Sequence, residues 1–421
     1  LLRMDIFQFS YHSIGYISGT IFTVFLIASL LKLKSKTKHA WILISYLLFV
    51  LFLNFGFLIR TSLFLPSLSK PACFLIALYT SFSNLVLLYF IYSFFGIESK
   101  KESKISLFII FSAGMFGFLF YVLKNINSEV SYNFSIQMFE FQEPESTAPM
   151  GSIHFLTFIW VLIVILRQYI KIRKELKHES DAGLRLEKGR TVRMSRNFGL
   201  AILLHALFSL TYTFYGWGYL SFSNFQLILT SVTSLQLFLY TVLYLNYFPE
   251  PSSFMIKIVG ASLATVLILL CVVARISFVL IERHYDEARK KEIENLRENL
   301  KLGRGHILPK DVLYLISSSD QSNTSRSDSS DGNDIGSISK RMYRTLSLPE
   351  NKPVYIIWYT FNSEGRIYEI GYPYESYSKM IHSIVSVIAL ILLSSSIFLI
   401  LALPYLIHKG LRDLQTYRSI L

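Results

Sequence analysis

The chain has 421 residues, 52% of them hydrophobic and 16% charged, with a mean hydropathy of +0.44. Soluble domains carry about 25% charged residues, so an apolar excess laid down in blocks excludes an ordinary soluble domain and predicts a mainly α, polytopic membrane protein. The net charge of +13 sits in short connectors between apolar blocks and not on a face interleaved with stacking aromatics, which argues against nucleic-acid binding.

About 20 apolar residues of helix cross a bilayer. Nine segments qualify in chain order: Tyr11–Leu31, Trp41–Ile59, Pro71–Phe95, Ile105–Leu123, Gly151–Leu166, Phe198–Tyr219, Phe225–Phe248, Met255–Ile281 and Met380–Leu403. Basic residues alternate between the connectors. Lys32, Lys34, Lys36 and Lys38 follow the first span, and Lys100, Lys101 and Lys104 follow the third. Arg173, Lys174, Lys177, Arg185, Lys188, Arg190, Arg193 and Arg196 follow the fifth, whereas Lys124–Met150 holds Glu129, Glu140, Glu143 and Glu145 against one lysine. Lysine and arginine favour the cytoplasmic side. The pattern therefore predicts an outside N-terminus (residues 1–10), a seven-span region (11–248), an inner loop with an eighth span (249–281) and an outward segment (282–378). A ninth span (379–403) then returns the chain to a cytoplasmic tail (404–421). Localisation to a cytoplasmic membrane, with the lipid bilayer as surroundings, follows.

The outward segment opens with ERHYDEARKKEIENLRENL, whose Tyr285, Ile293, Leu296 and Leu300 trace an apolar stripe and whose Asp286/Lys290 and Glu287/Lys291 have i,i+4 spacing. A helix continuing the eighth span is predicted. Residues 316–340 are dominated by Ser, Asp and Asn and predict a disordered insertion. Asp328, Asp331 and Asp334 lack the spacing of a calcium loop. Val354–Phe361 and Arg366–Tyr372 read as strands around the turn Asn362-Ser363-Glu364-Gly365, the first covered on both faces, with a further strand over Met342–Leu348. Candidate ligand-facing residues there are Trp358, Tyr368, Glu369 and Tyr372, with packing inside the hairpin as the alternative role for the aromatics.

Within the spans, His205 lies in AILLHALFSL, an expensive place for an ionisable group. A ligand pocket combining it with Asn54, Asn84 or Gln236 is one reading, a neutral imidazole bonded to a neighbouring helix the other. Arg60, Lys257 and Arg275 lie toward span ends, where they snorkel. Tyr212, Tyr215, Trp217 and Tyr219 read as interfacial anchors. Cys73 and Cys271 fall inside spans as small hydrophobes, so no disulfide framework and no metal site is expected. No nucleotide loop, HExxH or GxSxG motif occurs. No catalytic residue, enzyme activity or cofactor is therefore expected of these residues.

The stretches FPEPSSFMIKIVGASL and RIYEIGYPYESYSKMIHSIVSV, which lead into the last two spans, resemble bacterial multi-domain membrane sensors. The first seven spans are similar to the seven-helix N-terminal region of some histidine kinases. The tail ALPYLIHKGLRDLQTYRSIL resembles the first helix of a HAMP linker, with Asp413-Leu414 where such helices usually carry Pro-Leu. The resemblance implies a small α+β, PAS/Cache-like outward domain and a homodimer. It also implies signalling to a HAMP-linked output beyond this chain: a PP2C-type phosphatase, then an adenylate or guanylate cyclase or a histidine kinase. The rival readings are a transporter or channel-like protein with an outward appendage, against which the lack of mid-span acids weighs, and a degraded receptor fragment. The abrupt end of the chain reads as truncation.

Overall fold

The computed structural model describes residues 8–34, 36–95, 100–134, 136–141, 148–216, 218–247, 251–302, 308–309, 311–318, 338–347 and 353–420. The chain divides into two compact units, a larger one of Asp5–Ala274 with Val385–Leu421 and a smaller one built on Arg275–Ile384.

The larger unit is a helical bundle made of α1 (Ser13–Leu31), α2 (Lys38–Ser62), α3 (Pro66–Phe95), α4 (Lys100–Asn125), α5 (Ala148–Lys177), α6 (Ala182–Gly216) and α7 (Phe222–Tyr247). Each of the helices α1, α2, α3, α5, α6 and α7 packs on the next and α7 returns to α1, so the six close a ring; α4 lies against α3 and α5. Parts of α8 (Pro251–Lys301) and α9 (Tyr374–Ile420) belong to this unit. Apolar side chains offer no hydrophobic gain between helices in lipid, so close backbone approach and hydrogen bonds hold such a bundle. At Gly56 a Cβ would fall 2.6 Å from the carbonyl oxygen of Ala72, so α2 and α3 could not approach this closely with a larger residue. Thr37 caps α2 by accepting from the Ala40 N–H, and its hydroxyl also lies 2.9 Å from that of Tyr244 on α7.

Eight helices among the described residues are long and apolar enough to cross a membrane, and they lie within α1–α5, α7, α8 and α9. This is a multi-pass membrane protein. The predicted sixth span, Phe198–Tyr219, falls on α6 and the turn after it and is not one of the eight; the side chains of 205–210, 212–213 and 215–217 lie outside the described residues. Three of the four predicted aromatic anchors, Tyr212, Tyr215 and Trp217, fall there, while Tyr219 is exposed.

The connector between α4 and α5 holds a short hairpin of β1 (Val130–Asn133) and β2 (Met138–Phe141), which the sequence reading passed over. Arg60 explains its place. The Nη2 group donates to the Phe139 carbonyl at 2.7 Å, so this arginine fastens a connector to α2, an additional role for a side chain expected only to snorkel. The rings of Phe64, Tyr132 and Phe139 pack against one another there at tilted and edge-on angles.

The smaller unit is an antiparallel sheet on a helix. Its strands are β3 (Tyr314–Ser318), β4 (Met342–Ser347), β5 (Pro353–Ser363) and β6 (Arg366–Pro373), in the spatial order β3-β6-β5-β4. Ser363 pairs with Arg366, leaving Glu364 and Gly365 as a two-residue loop with φ of 54° and 76°. Two positive φ values mark the turn whose twist matches that of paired strands. The predicted insertion 316–340 is corrected at both ends. Ile316–Ser318 complete β3 against β6, and Ser339 donates its N–H to the Thr360 carbonyl; residues 319–337 lie outside the described set, with Asp328, Asp331 and Asp334 among them.

One sheet face is covered and the other partly open; on the latter β5 buries Ile356 and half-buries Val354, Trp358 and Thr360, so β5 is covered on both sides less completely than predicted. Ile357, Tyr359, Phe361, Ile370 and Tyr372 are buried, as are Tyr285, Ile293 and Leu296 of α8. On the other face Trp358, Thr360 and Asn362 are half-buried, while Ile316, Leu346 and Ile367 are 40–55% exposed.

Candidate functional site

Strand register decides which predicted residues meet. Side chains alternate across a strand, so Trp358 and Glu369 project from the open face of the sheet, whereas Tyr368 and Tyr372 project from the covered one. The four do not form one wall. His205 belongs to the larger unit, with its side chain outside the described residues.

On the open face Arg344 of β4 is the centre. It donates to Glu369 on β6 and to the Tyr314 hydroxyl on β3, and its guanidinium lies 5.2 Å from the Trp358 ring and 5.0 Å from the Tyr314 ring. Tyr314 in turn donates to Glu369 at 2.8 Å. The Arg344 and Glu369 side chains remain 33% and 24% exposed. Burial, then Glu369, push the Tyr314 phenol up to about 12, against the opposing pull of Arg344. The result is an aromatic and aliphatic platform around a solvent-reachable ion pair, fit to stack on a flat or apolar molecule and to exchange hydrogen bonds with it.

The covered face holds a second constellation. Arg341, just before β4, donates to Glu282 of α8 at 2.5 Å and lies 3.7 Å from Asp286, with its guanidinium 4.8 Å from the Tyr377 ring of α9. Tyr377 donates to the same Glu282 oxygen at 2.8 Å, and Tyr359 donates to Asp286 at 3.1 Å. Asp286 thus turns to the sheet and not to Lys290, the partner suggested by spacing. Deeper along α8, Arg289 lies 4.3 Å over the Tyr372 ring and pairs with Glu292. Burial, then Asp286, raise the Tyr359 phenol above its usual range. These arginines and Tyr314 escaped the sequence reading. The available signal was Glu369, the one carboxylate in a strand that is apolar after Arg366, since a half-buried charge needs a cationic partner; which one depends on the β3 and β4 registers.

In the bundle the three polar residues considered for a pocket with His205 bond elsewhere. Asn84 donates to the His154 carbonyl at 2.9 Å and to the Thr157 hydroxyl at 3.1 Å, Asn54 lies 3.5 Å from the Thr23 hydroxyl, and Gln236 donates to Tyr240 at 2.7 Å. A cavity of about 20 Å³ beside His12, Gln226, Thr230 and Cys271 has room for one water molecule and no organic ligand. Cys73 and Cys271 are buried and free, and no group of three metal-ligating side chains occurs among the described residues. No family profile and no curated protein matches the chain.

Proposed function

We propose that the chain is the sensory and transmembrane-signalling portion of a bacterial receptor. It has nine spans, α6 supplying the sixth, with an outside N-terminus and a cytoplasmic C-terminus in the inner membrane. A stimulus at the open sheet face changes the packing of the smaller unit, and α8 and α9 carry that change to a HAMP-like tail and a PP2C-type, cyclase or kinase output. The working state is a homodimer.

One observation carries this reading. The sheet is framed in sequence by two helices of 51 and 47 residues, the second with Pro404 in its interior, and each of them also contains a candidate membrane span. A domain framed in this way passes a shift along the hydrogen-bonded rod of α8 and, in α9, along the turns up to Pro404, which donates no helical bond. The orientation rests on the basic connectors. The ligand-facing assignment goes to Trp358 and Glu369 with Arg344 and Tyr314; Tyr368 and Tyr372 take the packing role. To test the proposal, a cyclase or kinase reporter is fused after Leu421 and Trp358→Ala, Arg344→Gln and Glu369→Gln are introduced singly. A shift in reporter output is expected from each. Output indifferent to all three, with the protein folded in the membrane, refutes it.

A further inference from the structure

β4 is the edge strand that has an engaged arginine on each side of the sheet. Arg344 reaches the open face, and Arg341, three residues earlier, reaches the covered one. Between them Met342 stands opposite Trp358, and Tyr343 stands opposite Ile357. Ahead of β4 the ladder is extended by Ser339, which donates its N–H to Thr360 and accepts from the Thr360 N–H through its hydroxyl at 2.8 Å. A displacement of β4 therefore moves both arginines together.

We propose that Arg341 is a latch that fixes the spacing of α8 and α9 within the smaller unit, and that β4 is the strand through which a change at the open face releases it. This rests on the receptor reading and names its regulation. The Arg341 side chain is 12% exposed and sits among Glu282 and Asp286 of α8, the Tyr285 ring at 6.0 Å, the Tyr343 ring at 5.6 Å and the Tyr377 ring at 4.8 Å. Glu282 receives both the guanidinium and the Tyr377 hydroxyl on one carboxylate oxygen. The node thus binds α8, α9 and the sheet at once. The Arg341 guanidinium is nearly buried, so losing its carboxylates strands its charge, whereas Glu282 and Asp286, 31% and 35% exposed, keep access to water; the guanidinium therefore has a made and an abandoned position. Such a two-position element is what a switch requires. Arg289, also buried on α8, bonds Glu292, covers Tyr372 of the sheet and meets the edge of the node at the Tyr285 ring, 5.2 Å away.

Pulsed electron paramagnetic resonance on the full chain in lipid nanodiscs tests the latch. Spin labels are placed at Arg283→Cys and Ser383→Cys, both exposed, with Cys73 and Cys271 replaced by alanine. Arg341→Gln is expected to broaden the inter-label distance distribution at least twofold. Tyr377→Phe, which removes only the hydroxyl, broadens it less, and Arg341→Gln with Glu282→Gln broadens it no more than the worse single change. Arg289→Gln, at a residue that meets the node at Tyr285 and not at Glu282 or Tyr377, broadens it less than Arg341→Gln. An unaltered distribution in Arg341→Gln with sheet amides still protected overturns the latch; should that variant not fold, an unaltered distribution in Tyr377→Phe does so. A broadened distribution with a silent reporter defeats the receptor reading and leaves the latch standing, whereas an active reporter with an unaltered distribution does the reverse.

Discussion

Gly371 of β6 offers the sharpest perturbation of the open face. The Tyr314 ring occupies the space beside its α-carbon, and an added Cβ would fall within 2.8 Å of the ring atoms Cε1, Cζ and Cδ1. Gly371→Ala must therefore expel Tyr314, which bonds Glu369 and Arg344. Overpacking costs about 1–3 kcal/mol, and a lost hydrogen bond to a charged group costs about 1.5–3 kcal/mol. Against these, alanine in a strand gains about 0.5–1 kcal/mol over glycine. The ring is partly exposed and can swing into water, which places the net near the lower end, about 2 kcal/mol. At about 1.4 kcal/mol per tenfold change, amides of the β3–β6 ladder, such as that of Leu313 donating to the Gly371 carbonyl at 2.8 Å, should exchange about 30-fold faster. Adding Tyr314→Ala removes the obstacle, so the double variant should exchange like Tyr314→Ala alone. Hydrogen exchange by mass spectrometry reads all three. Exchange within threefold of the parent in Gly371→Ala, or a double variant that exchanges clearly faster than Tyr314→Ala alone, refutes the reasoning.

Alkali should loosen the same unit. Burial pushes the Tyr314 and Tyr343 phenols up to about 12, whereas an unfolded tyrosine titrates near 10. The folded state therefore holds those protons more tightly, and the stabilisation, complete below about pH 10, is lost as pH rises through about 12. Tyrosinate absorbance should rise together with loss of sheet amide protection; titration of these phenols with protection retained contradicts it. In the bundle, Gln226 donates to the buried Tyr16 hydroxyl at 2.5 Å. Gln226→Leu strands that hydroxyl at about 1–3 kcal/mol, and Tyr16→Phe/Gln226→Leu should melt above Gln226→Leu in detergent. Arg60→Met removes one of two side-chain ties to the Phe139 carbonyl, leaving that of Ser69, and amides of β1 and β2 should exchange faster while those of α2 stay as they are.

The long apolar segments were legible because length alone identifies a span, and eight of the nine predicted ones coincide with apolar helices. The β5–β6 hairpin was legible for a local reason, since Glu364-Gly365 can take positive φ between two β-rich runs. β3 was not. Its last residues, Ile316-Ser317-Ser318, merge into a polar run and are held as a strand only by β6, a partner some 50 residues away. The same non-local pairing hid the open-face cluster. Glu369 and Trp358 stood out by residue type, but Arg344 and Tyr314 join them only through the registers of β4 and β3. Tyr372, a candidate for facing a ligand or for packing inside the hairpin, is fully buried, because a one-residue offset in a strand moves a side chain to the opposite face.

The proposed orientation, on which the receptor reading depends, is tested most directly by thiol accessibility in intact cells. The native cysteines are buried, so Glu298→Cys on the outward part of α8 and His178→Cys between α5 and α6, both exposed positions, report separately. Glu298→Cys should react with a membrane-impermeant maleimide from outside, and His178→Cys only after lysis. Labelling of His178→Cys in intact cells, or protection of Glu298→Cys until lysis, contradicts it.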